Sequence, residues 1–393
     1  MRPAELADEG RSTPNALHSE WPRADPIGSA ARASAAEVQK CAAWCMIRAK
    51  GQNVDLARLS QVLDSYLDNL RHFAEGGNSK LVEATKLNTL GTEFLNQGDY
   101  ARAEPLLRNA LAIREKALGQ EDLYVATSMN NLAVLLKRKG NYTGASQLYR
   151  RALAIREKVL GSDHPDVALS LNNLGELLRQ TGDFDGAQAL LLRALAIWEK
   201  TQGNYPELGL TLNNLALVLR QKGNLDRAES LHRRALSVRG KALGADHPDV
   251  AQSLNNLGML LQYRKNYAKA EPLLRRALAI REKAFGAEHP DVANSLNNLA
   301  LLLQNESNFK DAEPLCRRSL AIQEKVLGSN HPEVATSLNN LALSLSNKGD
   351  YAAAEQLLQR ALTIDESALG LDHPATKLAR ENLAAIRTES RRR

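Results

Sequence analysis

The chain has 393 residues and a formal charge of only +6, too weak a basic balance for a dedicated nucleic-acid binder of this length. Apolar residues make up 44% and aromatics 4%; alanine and leucine dominate, which suits helices packed through small side chains rather than a sheet. Three cysteines, Cys41, Cys45 and Cys316, lack the count and spacing of a disulfide framework and fit a reducing compartment.

Residues 1–29 hold Pro3, Pro14, Pro22 and Pro26 among mixed charges and are expected to form a disordered arm. No apolar run there marks a signal peptide or anchor, and no later stretch reaches the ~18 apolar residues of a membrane span. A cytoplasmic location without membrane insertion is therefore expected. Residues 30–77 read as a helical hairpin. One stripe is Val38, Cys41, Ala42, Cys45 and Met46, and the other runs from Leu56 through Leu59, Val62, Leu63, Tyr66, Leu67 and Leu70 to Phe73. Cys41 and Cys45 fit this as small buried hydrophobes. The hairpin does not share the pattern of the later residues and is expected to cap them.

Residues 78–370 repeat themselves. Leu171-Asn172-Asn173-Leu174-Gly175 recurs as Leu87-Asn88-Thr89-Leu90-Gly91, Met129-Asn130-Asn131-Leu132-Ala133, Leu212-Asn213-Asn214-Leu215-Ala216 and three later copies beginning at Leu254, Leu296 and Leu338. The step is 42 residues, with a single step of 41 between Asn172 and Asn213. Such a period means stacked supersecondary units. Within the third copy, His164-Pro165-Asp166 starts a first helix with Leu171, Leu174 and Leu178 on one face. Gly182-Asp183-Phe184 makes the turn, and a second helix carries Ala187, Leu191, Ala194 and Leu195. The positions of Gly175, Ala187 and Ala194 admit nothing larger than serine in any copy, as helices in close approach require. Pro105, Pro272 and Pro314 fall inside second helices, where a slight bend is expected. Residues 371–393, with Leu378, Leu383, Ala384 and Ile386, read as a C-terminal capping helix and basic tail.

Leu171-x2-Leu174-Gly175-x2-Leu178 followed by Ala187 and Ala194 resembles the tetratricopeptide repeat, with leucines at that motif's aromatic positions. The 42-residue period, the Asn-Asn-Leu-Ala core, the Arg151–Lys158 run and the His-Pro-Asp junction resemble the kinesin-light-chain type in particular. No long heptad coiled coil precedes the repeats, which sets this chain apart from a kinesin light chain. The resemblance implies an all-α, right-handed superhelical solenoid that acts as a protein-interaction scaffold or adaptor.

No constellation for chemistry is assembled, so an enzyme is not expected, nor a cofactor, metal or small-molecule substrate. His164, His247, His289, His331 and His373 each precede proline at a junction, and stacking puts equivalent residues too far apart to share one ion. Asp163, Asp246 and Glu288 beside them read as capping charges, and the Arg-Glu-Lys segments (Arg114–Lys116, Arg281–Lys283) as a solvated face.

The resemblance implies that the first helices line a concave groove with an asparagine ladder: Asn131, Asn173, Asn214, Asn256, Asn298 and Asn340. An amide both donates and accepts, so it can bond a peptide backbone of any sequence. Bridging between adjacent helices is the alternative role, for these and for Asn172 and its equivalents. Leu217, Met259, Leu301 and Leu343, three residues after the ladder, and Arg138, seven after it, complete the candidate groove. Its first half is partly basic and its second half apolar, which suits a peptide with an acidic end and apolar anchors. Protein or peptide partners are expected, with oligomeric state left open. A regulatory or sensor module, acting with a separate effector domain, is the alternative.

Overall fold

The computed structural model describes residues 79–96, 98–201 and 205–392, and these fold as a solenoid of fifteen α-helices without a strand. The expected arm and hairpin, with Cys41 and Cys45, lie outside the described residues. Fourteen of the helices pair as first and second helices of a repeat. The pairs are α1 (Ser79–Asn96) with α2 (Tyr100–Leu118), α3 (Leu123–Arg138) with α4 (Tyr142–Leu160), and α5 (Pro165–Gln180) with α6 (Phe184–Lys200). Next come α7 (Pro206–Gln221) with α8 (Leu225–Leu243), and α9 (Pro248–Tyr263) with α10 (Tyr267–Phe285). The last are α11 (Pro290–Asn305) with α12 (Phe309–Leu327), and α13 (Pro332–Asn347) with α14 (Tyr351–Leu369). The fifteenth helix, α15 (Pro374–Arg391), buries Leu378, Leu383 and Ile386 against the end of the array. Helices α2, α10 and α12 run through Pro105, Pro272 and Pro314 without a break.

Local chemistry sets the period. The junction histidines are N-caps: Nδ1 of His164, His247, His289 and His331 accepts the backbone N–H two residues on at 3.1 Å, and that of His373 at 3.2 Å. This corrects the role expected of the neighbouring acids. Asp163, Asp246 and Glu288 are ion-paired instead with Lys200, Lys283 and Lys325 of the second helix, at 3.1, 2.6 and 2.5 Å. Most second helices end on a glycine such as Gly161 (φ 85°, ψ 159°), a backbone region open essentially to glycine alone. The described helix α6 is shorter: it has 17 residues rather than the 19 of α4, and Thr201 at φ −78°, ψ 119° leads out of it. The one 41-residue step falls at this junction.

Close helix approach is visible at the small residues. Ala103, Ala145, Ala187, Ala228, Ala270, Ala312 and Ala354 are all 0% exposed. The glycine position is matched to its partner across the repeat. A Cβ on Gly91, Gly175 or Gly258 would come within 2.8, 2.9 and 2.8 Å of Leu107, Leu191 and Leu274 respectively. Where the sequence has Ala133, Ala216 or Ala300 instead, the leucine is replaced by Tyr149, His232 or Cys316. The last repeat combines Ala342 with Leu358.

The arginines of the Arg-Glu-Lys segments are not solvated, which corrects the reading of those segments as a charged face. Arg114, Arg239 and Arg281 are 2–4% exposed. Each crosses to the first helix of the next repeat. Arg114 Nη1 donates to Ser128 Oγ at 2.8 Å, Arg156 Nη1 to Ser170 Oγ at 2.7 Å and Arg281 Nη1 to Ser295 Oγ at 2.8 Å. A helical wheel shows where a residue points, not which neighbouring repeat covers it. At the 41-residue step Trp198 stands in the arginine's place, packed against Tyr205 with ring centroids 5.5 Å apart and the rings tilted by 37°.

Glu83, Lys86 and Glu93 are exposed on α1 where the next repeat buries Val125, Ser128 and Leu135. The coil also closes on itself. Tyr100 and His331 lie with ring centroids 6.4 Å apart, and Gly98 lies directly against the His331 ring. One repeat further along, Gly140 touches His373 in the same way, with its ideal Cβ 3.6 Å from Cδ2. Successive turns of the superhelix therefore meet after roughly five and a half repeats.

Gly258→Ala removes about 1 kcal/mol of helix-propensity cost, but it places a methyl against Leu274 and overpacking costs about 1–3 kcal/mol. The thermal midpoint is expected to fall. Adding Leu274→Cys, which copies the Ala300–Cys316 pair, is expected to recover part of the loss in the same melting experiment.

Candidate functional site

First helices of successive repeats touch one another, as α1 does α3, α5 does α7, and α7 does α9, so they form the inner rail of the curve. The candidate ladder lies on this rail, and most of it is already engaged in hydrogen bonds. Asn131 Nδ2 donates to Asn88 Oδ1 at 3.1 Å, Asn173 to Asn130 at 2.8 Å, Asn214 to Asn172 at 3.0 Å and Asn298 to Asn255 at 2.9 Å. Asn382 of α15 extends the series to Asn339 at 2.8 Å. The second asparagine of each of these repeats thus holds the first asparagine of the repeat before it. This is the bridging role that the residues left open.

Two rungs are missing. At the first, Asn213 turns its Oδ1 to His232 Nδ1 at 2.8 Å and its Nδ2 to Ser253 Oγ at 3.0 Å. Asn256 then accepts from Gln252 at 3.0 Å and does not bond Asn213. At the second, Asn297 Nδ2 donates to Ser337 Oγ at 2.7 Å, and the Oδ1 atoms of Asn297 and Asn340 are buried without a partner among the described residues.

The variable positions divide likewise. Leu217, Met259 and Arg138 are half-buried, whereas Leu301 at 5% and Leu343 at 9% are covered by their neighbours and offer little to a ligand. Tyr263 is 57% exposed, with the Arg220 guanidinium 5.8 Å from its ring centroid. Asn256, Met259 and Tyr263 share one face of α9 at helical spacing.

A further row escaped sequence reasoning, six residues after the ladder: Lys137, Arg179, Arg220, Gln262, Gln304 and Ser346. Its drift from cation to amide to hydroxyl was legible in the copies. Arg179 Nε bonds Glu176 Oε2 at 2.9 Å in a buried pair, and Gln180 Nε2 donates to Glu176 Oε1 at 2.8 Å. Desolvation holds the Lys137 ammonium below its ordinary range, with Glu176 opposing that shift. Lys137, Arg138, Arg179 and Arg220 against Glu176 leave this part of the inner face positive. No group of three His, Cys, Asp or Glu side chains lies close enough to hold a metal among the described residues. No described helix is long and apolar enough to cross a membrane.

The tetratricopeptide repeat family profile matches residues 82–158, 124–200, 207–283, 249–305, 291–367 and 338–392. The chain belongs to the tetratricopeptide repeat family. Arrays of this family are protein-interaction scaffolds in general terms, and the match spans most of the chain. Among solved structures, BtubC (BKLC) from P. vanneervenii is 23% identical with a TM-score of 0.47, over 61% of this chain and 93% of its own. TPR-like repeats of Podosopora anserina, named after kinesin light chain, are 27% identical with a TM-score of 0.43, over 52% of this chain and 97% of theirs. The apo form of RapI is 13% identical with a TM-score of 0.52, over 72% of this chain and 98% of its own, a likeness of fold alone. A search of curated proteins finds no match.

This geometry sets up two measurements. Asn298→Ala leaves the buried Asn255 Oδ1 without its donor, and an unsatisfied buried group costs about 1–3 kcal/mol; the denaturation midpoint is expected to fall despite alanine's better helix propensity. Burial lowers the His232 pKa to about 3, from an ordinary value of 6.5. The unfolded chain therefore binds a proton that the folded chain refuses. Stability from this site is complete above about pH 6.5 and is lost as the pH falls towards 3. Denaturant titrations from pH 7 to pH 4 are expected to show this slope, reduced in His232→Leu.

Proposed function

We propose that this array captures extended peptide segments of partner proteins on its inner face, with the contact centred on repeats four and five. The observation that carries this reading is the face made by Leu217, Met259 and Tyr263. These are accessible apolar side chains on an otherwise engaged rail, next to the cations Arg220, Arg179, Arg138 and Lys137. An apolar anchor on Met259 and Tyr263 with an acidic residue towards Arg138 and Lys137 fits both halves. Of the candidate ladder, Asn256 contributes a backbone bond, while Asn131, Asn173, Asn214 and Asn298 chiefly hold the rail in shape.

The second reading, a ligand-responsive module, draws on the touching turns. A coil whose turns meet at Tyr100–His331 and Gly140–His373 has an open and a closed form for a ligand to choose between.

A random peptide library displayed on phage and selected on the full chain tests the first reading. Enriched peptides are expected to share an acidic residue beside an apolar one and to lose about tenfold or more in affinity for Met259→Asp. Their binding is expected to weaken as salt rises. An unaltered circular dichroism melt keeps that loss assignable to the groove. Failure to enrich any peptide, or equal binding to the variant, removes the reading.

A further inference from the structure

His232 occupies a position that is leucine in four of the seven repeats: Leu107, Leu191, Leu274 and Leu358. The ring is 0% exposed, and burying a polar ring where leucine serves elsewhere costs free energy. Its visible consequence is local. His232 Nδ1 lies 2.8 Å from Asn213 Oδ1, so the ring carries its proton on Nδ1 and occupies one acceptor position of the carbonyl that the next asparagine would otherwise take. It holds the Asn213 amide turned with its Nδ2 on Ser253 Oγ at 3.0 Å. In five other places that carbonyl accepts from the following repeat. Here Asn256 loses its rung, and among the described residues its Nδ2 meets no acceptor. Asn256 is also half-buried, whereas Asn340 at the other missing rung is 4% exposed and enclosed.

We propose that His232 is a positioning residue for the groove: by holding the Asn213 carbonyl, it releases the Asn256 amide to donate to a backbone carbonyl of the bound segment. This rests on the peptide-groove reading above and assigns its contact point. The released amide sits one turn before Met259 and two before Tyr263 on the same face of α9. A backbone donor and an accessible apolar ledge thus coincide at the middle of the array. A peptide chain hydrogen-bonded there sets its side chain against Met259 and Tyr263. The rail is continuous in the repeats before it, so the register of the bound segment is fixed from this point.

The array contains its own controls, and the sixth repeat bounds them. With Cys316 at this position the rung is also absent, Asn297 Nδ2 turning to Ser337 Oγ at 2.7 Å as Asn213 Nδ2 turns to Ser253. In the second repeat Ala133 faces Tyr149, and the Asn173–Asn130 rung is intact at 2.8 Å. In the last repeat Ala342 faces Leu358, and the Asn382–Asn339 rung is intact at 2.8 Å. Repeat four also has alanine, Ala216, at this position. His232→Tyr and His232→Leu therefore each install a combination that this chain already accommodates, and both are expected to restore the Asn256–Asn213 rung.

The experiment has one arm without ligand and one with it, both on the full chain. In the first, Asn256→Ala is introduced into the parent, His232→Leu and His232→Tyr, and melting midpoints are compared. The substitution is expected to leave the parent within about 1 °C and to lower either histidine variant by about 2 °C or more. An equal effect in all three backgrounds overturns the positioning role. In the second, a peptide selected from the displayed library is titrated against parent, Asn256→Ala, His232→Leu and His232→Tyr. About tenfold weaker binding to all three variants supports the proposal; unchanged binding to them, with Met259→Asp still defective, overturns it and leaves the groove reading intact. Should no peptide be enriched, the groove reading fails, and with it the ligand-facing half of the proposal, while the melting comparison still decides whether His232 governs the rung.

Discussion

The distance between the two helices of a repeat is the constraint on which the array depends. It is set where Ala103, Ala187, Ala270 and their equivalents leave room for nothing larger, and glycine or alanine across the pair is matched to what it faces. Seven pairs held at one spacing stack with one curvature, and a constant curvature aligns the first helices along an inner rail. The packing that fixes the fold thus also defines the face on which a ligand could lie.

Polar groups connect the repeats. Buried arginines reach forward from second helices to serines of the next repeat, and asparagines reach back along the rail. Both classes carry the cost of leaving water, offset by hydrogen bonds that only the correct neighbour supplies. Apolar repeats of such similar sequence could slide or pair promiscuously; directional bonds penalise a displaced neighbour by leaving buried donors unmet. The helix-propensity cost of two asparagines per repeat is small beside that.

Much of the fold was legible because its signals are local and repeated: the period, the His-Pro helix start, the turn glycine and the small residues. The 41-residue step was visible too, though only the structure shows the shortened α6 and the Trp198–Tyr205 contact beside it. The candidate site was less legible. A helical wheel places Asn173 on the correct rail but does not reveal that Asn130 of the preceding repeat lies within 2.8 Å. It puts Leu217 and Leu301 in one class, although neighbouring helices cover the second and not the first. Burial of Arg114 and Arg281 was likewise hidden, since a charged residue followed by Glu-Lys looks like surface until the next repeat is stacked on it. What sequence misses here is always the contribution of another repeat.

The meeting of successive turns has a consequence for array length. Each contact joins a turn to a junction roughly five and a half repeats later, so it does not exist in a shorter array. Seven pairs and α15 supply two such contacts, at Gly98–His331 and Gly140–His373. Loss of one repeat leaves one of them, and loss of two leaves an open arc. Curvature accumulates gradually with every added unit, but self-contact arrives at a threshold. Repeat number in the described array therefore acts as a discrete control of shape, and its seven pairs with α15 stand just past the point where an arc becomes a coil.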